Sequence, residues 1–290
     1  MAQARLITPP KEQEERSPFR NVWQSQAIEA ALLMLIVLIC FVLFGLLRVR
    51  LPALISTAVN YALALLPAGL WLIFSYLPER RALLPRERIG FTFFVSLLLA
   101  NAVGTPLLDT LQPAQWLATE STLNRIIGYT LTVGVVQEGL KYLVLRYLAL
   151  PYVQKHSDTV AYSLAIGVAY GVVLNLHYVA THTAPPSIIA VRVLSHVSLS
   201  ALGSLIVAYG FSLVFVNRAN LLFLPTCFGL ACALNGAVLP IRAGVTNAVL
   251  NVQAVSPRPI IGLGLSIALY VSALFALYFL FNNATAEEEA

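Results

Sequence analysis

Charge is scarce in this chain. Only 11% of its 290 residues are Asp, Glu, Lys or Arg, where a soluble domain carries about 25%. With 59% apolar residues and a mean hydropathy of +0.80, the composition excludes an ordinary soluble domain. Cysteine is rare as well. Cys40, Cys227 and Cys232 all lie in apolar runs, and the last two are five apart, not in a CxxC spacing. That spacing argues against a disulfide framework or a thiolate metal site, and a free cysteine in an apolar run acts as a small hydrophobe. The net charge of +5 has no basic helix or aromatic–basic surface motif behind it. It is therefore not a nucleic-acid footprint, and no nucleic-acid partner is expected. No lipidation motif stands at either end. No cleavable signal peptide is expected, because the first apolar run begins near Ala27, after a charged stretch with prolines.

What is present is long apolar sequence. The runs are continuous over twenty residues or more, unlike the ten-residue alternation of a barrel strand. The expected fold class is all-α, a polytopic transmembrane helical bundle of about eight spans. The spans are expected at 27–47, 54–77, 89–108, 123–148, 158–181, 188–216, 221–241 and 260–281. Each is long enough to cross about 30 Å of hydrocarbon at 1.5 Å per residue. Prolines mark the breaks, at Pro52, Pro78, Pro85, Pro151, Pro185-Pro186 and Pro257-Arg258-Pro259, because the residue before a proline resists helix. The segment 109–122 is expected at the interface, with Trp116 at headgroup level. One transmembrane domain, 27–281, thus lies between an N-terminal segment, 1–26, and an acidic tail, 282–290.

Orientation follows from the basic residues. With the N-terminus in the cytoplasm, eleven Lys and Arg fall on that side. Only four, Arg48, Arg50, Arg242 and Arg258, fall on the other. The positive-inside rule then places both termini in the cytoplasm.

Against this apolar background a few polar residues stand out. Glu138 and Lys141 lie within the fourth span, three apart on one helix face. Each would cost roughly 2.5–3.5 kcal/mol at the bilayer centre if unpaired, so the two together cost about 5–7. Such charges are paired, hydrated or used. In the sixth span Arg192 and His196 are four apart and share a face. Asp158 opens the fifth span as an N-cap type, followed by Tyr170, Asn175, His177 and Tyr178, and Asn235 lies in the seventh. Two readings stay open on these residues alone. One is a buried polar cluster in which Glu138 pairs with Lys141 or Arg192, while His196 and Asn235 bond across helices. The other is a wet intramembrane site in which a carboxylate faces an imidazole. His182 is expected at the membrane edge.

The ordered motifs resemble the PrsW family of polytopic intramembrane proteases. The resemblance covers about 135–239 within a core at about 123–241. The family's EExxK reads Gln137-Glu138-Gly139-Leu140-Lys141 here. Its next block reads Asp158, Tyr162, Gly167, Tyr170, Leu174-Asn175 and Tyr178. The following Arg and His are Arg192 and His196, with Gly203 beyond, and the last block is Ala231 and Asn235. The related prenyl endopeptidases would need Arg at Tyr142.

Three family positions are altered. Gln137 replaces a Glu, Leu174 replaces a Glu, and Ala231 replaces a His. The resemblance implies Glu138 and His196 as catalytic groups if the chain is active. Lys141, Asp158, Asn175, His177, Arg192 and Asn235 would support them. Hydrolysis needs one group to take a proton and another to return it. No cofactor is expected of an inactive site; in an active one a zinc ion would fall to Glu138 and His196, with His177 the further candidate ligand, since zinc asks for three protein ligands.

The leading expectation is thus a PrsW-like membrane protein with a degenerate, inactive protease site, acting as a scaffold or complex subunit. The alternative is an active intramembrane protease using Glu138 and His196, and a weaker one is a transporter with an intramembrane carboxylate. The expected partners are the lipid bilayer and other membrane proteins or transmembrane peptides. The expected location is a bacterial inner membrane.

Overall fold

Prolines and interfacial polar residues set where the helices end. The structure, a computed structural model, describes residues 22–77, 87–118, 120–153 and 156–246, with isolated helical positions between 264 and 279. Among the described residues there are helices and no strand. The chain order is α1 (Val22–Cys40), α2 (Ala53–Trp71), α3 (Glu87–Leu99), α4 (Thr105–Leu111) and α5 (Pro113–Trp116). It continues with α6 (Thr122–Tyr129), α7 (Val135–Val144), α8 (His156–Thr181), α9 (Pro186–Phe215) and α10 (Phe223–Thr246). Five of the described helices are long and apolar enough to cross a membrane: Ala27–Leu46, Ala53–Tyr76, Arg88–Trp116, Asp158–Thr181 and Pro186–Phe215. Phe223–Leu239 is a shorter apolar helix.

The expected fourth span is helical, but its four charges, Arg125, Glu138, Lys141 and Arg146, set it apart from those five. The third span also runs on past its expected end, through Leu111. It breaks at Gln112, whose backbone is left-handed (φ 45°), and Pro113 then starts a new turn. Trp116 is exposed, and its indole donates to the Leu111 carbonyl at 3.1 Å. The eighth expected span lies largely outside the described residues, as do residues 1–21 of the N-terminal segment and the acidic tail.

Among the described residues, five stretches widen into π-helix: Phe41–Leu46, Leu72–Tyr76, Ala100–Gly104, Thr130–Gly134 and Leu145–Ala149. Around the fourth of these, the Thr130 and Thr132 hydroxyls donate to the Ile126 and Gly128 carbonyls. Such bonds compete with the backbone ladder and bend helices. Thr130–Gly134 joins α6 to α7, so the widened turn falls one turn before Glu138.

The core lies at α8 and α9, which make the most extensive contact among the described helices. Their apolar windows are 89% and 83% buried, against 28–33% for the first three spans. The close packing has a local cause. A Cβ on Gly167 would lie 2.9 Å from the Ala201 Cα, and one on Gly171 would lie 3.0 Å from the Val197 Cα. The four-residue spacing of the two glycines lets the backbones approach, which drives helix association where lipid removes the hydrophobic gradient. A second crossing is reciprocal. Gly134 lies against the Cys232 backbone carbonyl, and Gly236 lies against Thr130. These contacts press α10 onto the α6–α7 rod and set the height at which α10 side chains meet α7.

Candidate functional site

α7 is short, and it carries Glu138 and Lys141 one turn apart on its inner face. Both are shut away from solvent, at 0% and 2% exposure. The Lys141 Nζ lies 2.5 Å from Glu138 Oε1. The Asn235 Nδ2 of α10 donates to the same oxygen at 2.5 Å. From α9, the Ser200 carbonyl accepts from Lys141 Nζ at 3.1 Å, and the Ser200 hydroxyl lies 3.4 Å away. Gly203, also on α9, closes over the carboxylate: a Cβ there would lie 2.5 Å from Glu138 Oε1. Tyr170 of α8 faces the ammonium with its ring centroid 5.8 Å from Nζ. Gly104 of the third span packs against the Tyr170 hydroxyl. One buried charge pair is thereby held by three neighbouring helices, α8, α9 and α10.

Two atoms at this junction have no hydrogen-bond partner among the described residues, Glu138 Oε2 and the Tyr170 hydroxyl. The other carboxylate oxygen takes both bonds. An ion pair in low dielectric is secure only when its remaining lone pairs and protons are also met, so this one is held on one side only.

Of the residues singled out in the sequence, Glu138, Lys141 and Asn235 come together. His196 is buried on α9, one turn before Ser200, which is about 6 Å along the axis. Neither His196 nor Arg192 hydrogen-bonds or ion-pairs with Glu138. The tie from α7 to α9 runs through Ser200 instead. The Arg192 guanidinium lies 3.8 Å over the Tyr178 ring, which stacks in turn on His182 at 4.3 Å. His177 lies 3.5 Å from the Asp109 carboxylate and is 36% exposed. Asp158 stands in the first turn of α8, twelve residues from Tyr170 and therefore about 18 Å away along the helix. Asn175 is buried, and neither polar atom of its amide has a partner.

Of the altered family positions, Ala231 and Gln137 are buried, and Leu174 is half-buried. The Ala231 carbonyl accepts from Asn235 at 3.3 Å. Leu174 packs with Ala100, Tyr170 and Val173.

A zinc ion does not fit these residues. Among the described residues, no three of His, Cys, Asp or Glu gather at one point. The bonded oxygen of Glu138 faces an ammonium, which would repel a cation, and His177 sits beside Asp109.

Sequence reasoning passed over one buried carboxylate. Glu29 in α1 is 6% exposed and accepts a hydrogen bond from the Ser75 hydroxyl. An acid inside an apolar run was the signal available, the same one that drew attention to Glu138.

No family model, no curated protein and no solved structure matches this chain.

Proposed function

We propose that this chain is a PrsW-like integral membrane protein whose hydrolytic site has decayed, and that it works by binding, as a scaffold or a subunit of a membrane assembly. The closure of Glu138 carries the reading. Its carboxylate is fully buried under Gly203, and one oxygen is bonded to Lys141 and Asn235. A carboxylate that activates water must reach that water and the scissile bond together. The apolar packing of Ala231, fully buried, and of Leu174, half-buried against Ala100, Tyr170 and Val173, supports the same reading.

In this reading eight spans cross a bacterial inner membrane, with both termini in the cytoplasm. The cross-span contacts support that alternation. Arg88, at the start of the third span, lies 3.6 Å over the ring of Tyr152, which follows the fourth. Asp109 meets His177 at the far ends of the third and fifth spans. Asn60, early in the second, donates at 2.8 Å to the Ala184 carbonyl between the fifth and sixth.

One observation favours a second reading, an active intramembrane protease: Glu138 Oε2 has no partner and could hold a proton or a water. Reconstituted protein offered transmembrane peptides separates the two. The scaffold reading expects no cleavage above a Glu138→Gln control, and migration from native membranes in an assembly larger than a monomer. Cleavage that is abolished by Glu138→Gln, in a protein that migrates as a solitary monomer, overturns it.

A further inference from the structure

The Glu138–Lys141 pair abuts a small cavity lined by Lys141, Leu145, Ser163, Ile166, Ser204 and Val207. Its volume is ≈ 10 Å³, about the space one water requires. The three polar groups around it have complementary capacity left. An ammonium has three protons to donate. Lys141 directs one at Glu138 Oε1 and one at the Ser200 carbonyl. For the third, the remaining acceptor among the described residues is the Ser200 hydroxyl at 3.4 Å, which is long for a hydrogen bond. The two serines are the reverse case. Ser163 donates its single proton to the Val160 carbonyl at 3.0 Å, and Ser204 donates to the Ser200 carbonyl at 2.8 Å. Each hydroxyl keeps lone pairs and has no proton left to give.

We infer that this cavity is an ordered-water site, in which one water accepts from Lys141 Nζ and donates to Ser163 Oγ and Ser204 Oγ. Three bonds are the usual complement of a buried water. The water solvates the ammonium from the α8–α9 side and gives its third proton an acceptor. It is not placed as a nucleophile, because it lies on the lysine and not on Glu138 Oε2. The assignment therefore holds whether or not the chain hydrolyses peptides.

Two variants of the full-length protein in detergent give opposite signs. Ser163→Ala leaves the water two partners and more room. Ser163→Val fills the cavity and expels the water. If the site is wet, Ser163→Val has the lower Tm of the two, because the third Lys141 proton is stranded. In a dry cavity the added methyl groups fill a void, and Ser163→Val matches or exceeds Ser163→Ala, which overturns the inference. An experimental structure that resolves other buried waters gives a direct check. It should show a density peak about 2.7–3.2 Å from Lys141 Nζ, Ser163 Oγ and Ser204 Oγ, and a featureless cavity there overturns the assignment as well.

Discussion

The first span and the fifth invert the usual relation between hydropathy and burial. Ala27–Leu46 has a mean hydropathy of 2.9 and is 28% buried, whereas Asp158–Thr181 has 1.6 and is 89% buried. In water the most apolar helix would be innermost. In lipid the solvent is itself apolar, so greasy side chains gain nothing by hiding. The interior goes to helices whose small and hydroxyl residues allow close approach and interhelical bonds. α8 and α9 have that composition, with Gly167 and Gly171 against Ala201 and Val197 and serines at 195, 198 and 204 bonded to their own helix carbonyls. The charge pair of α7 sits against this interior, where dipoles rather than acyl chains surround it.

The largest test of the contrast is at the charge pair. Lys141→Met strands a fully buried carboxylate and should destabilise the protein by about 3–5 kcal/mol, the usual effect of breaking a buried pair. Leu35→Ala on the outer face of α1, at 54% exposure, should change stability by no more than about 0.5 kcal/mol. Thermal unfolding in one detergent compares the two, and similar Tm shifts would break the contrast. Adding Glu138→Gln to Lys141→Met should restore part of the loss, since the stranded charge is then gone.

Glycine substitutions come next. Gly167→Val drives side-chain atoms into the α9 backbone and should cost about 1–3 kcal/mol. A Cβ on Gly69 in α2 meets nothing within 4 Å, so Gly69→Ala should be neutral or gain up to about 1 kcal/mol of helix propensity. Denaturation midpoints of opposite sign would sharpen the distinction between centre and rim.

Hydrogen bonds to the two acids give a smaller effect. Asn235→Ala should cost about 1–2 kcal/mol, because its amide donates to a charged group deep in the bundle. The loss should shrink when Glu138 is already Gln, which a double-mutant cycle reads directly. Ser75→Ala, which removes one donor to Glu29, should lie nearer the membrane average of about 0.6 kcal/mol. Smallest of all, His177→Gln at the half-exposed Asp109 pair should shift stability by less than about 1 kcal/mol.

The helices were legible where one residue type decides the matter. Pro185-Pro186 ends one helix and begins the next, and the fifth span closes at Thr181 as expected. The π-helical stretches were not legible. Thr130–Gly134 contains no proline, and its widening accompanies a backbone contact with α10 that lies a hundred residues away in sequence. At the site, the Glu138–Lys141 pair was legible because three residues on a helix is a local relation. Ser200 as the lysine's partner was not, since nothing in a run of serines says which one faces another helix. Arg192 was an expected partner of the carboxylate on charge alone. Its guanidinium instead lies over Tyr178, a choice made by the height at which α8 and α9 cross.

That height is set by backbone touching backbone, and the reciprocal crossing of Gly134 with Cys232 and Gly236 with Thr130 extends the principle to α10. Side chains can change rotamer to let a neighbouring helix slip, but a carbonyl lodged where a Cβ would stand cannot. The crossing therefore behaves as a detent: α10 can lift away from the α6–α7 rod, but it cannot glide along it. Lifting parts Asn235 from Glu138, so the mechanical freedom of this helix and the solvation of the carboxylate are one coordinate.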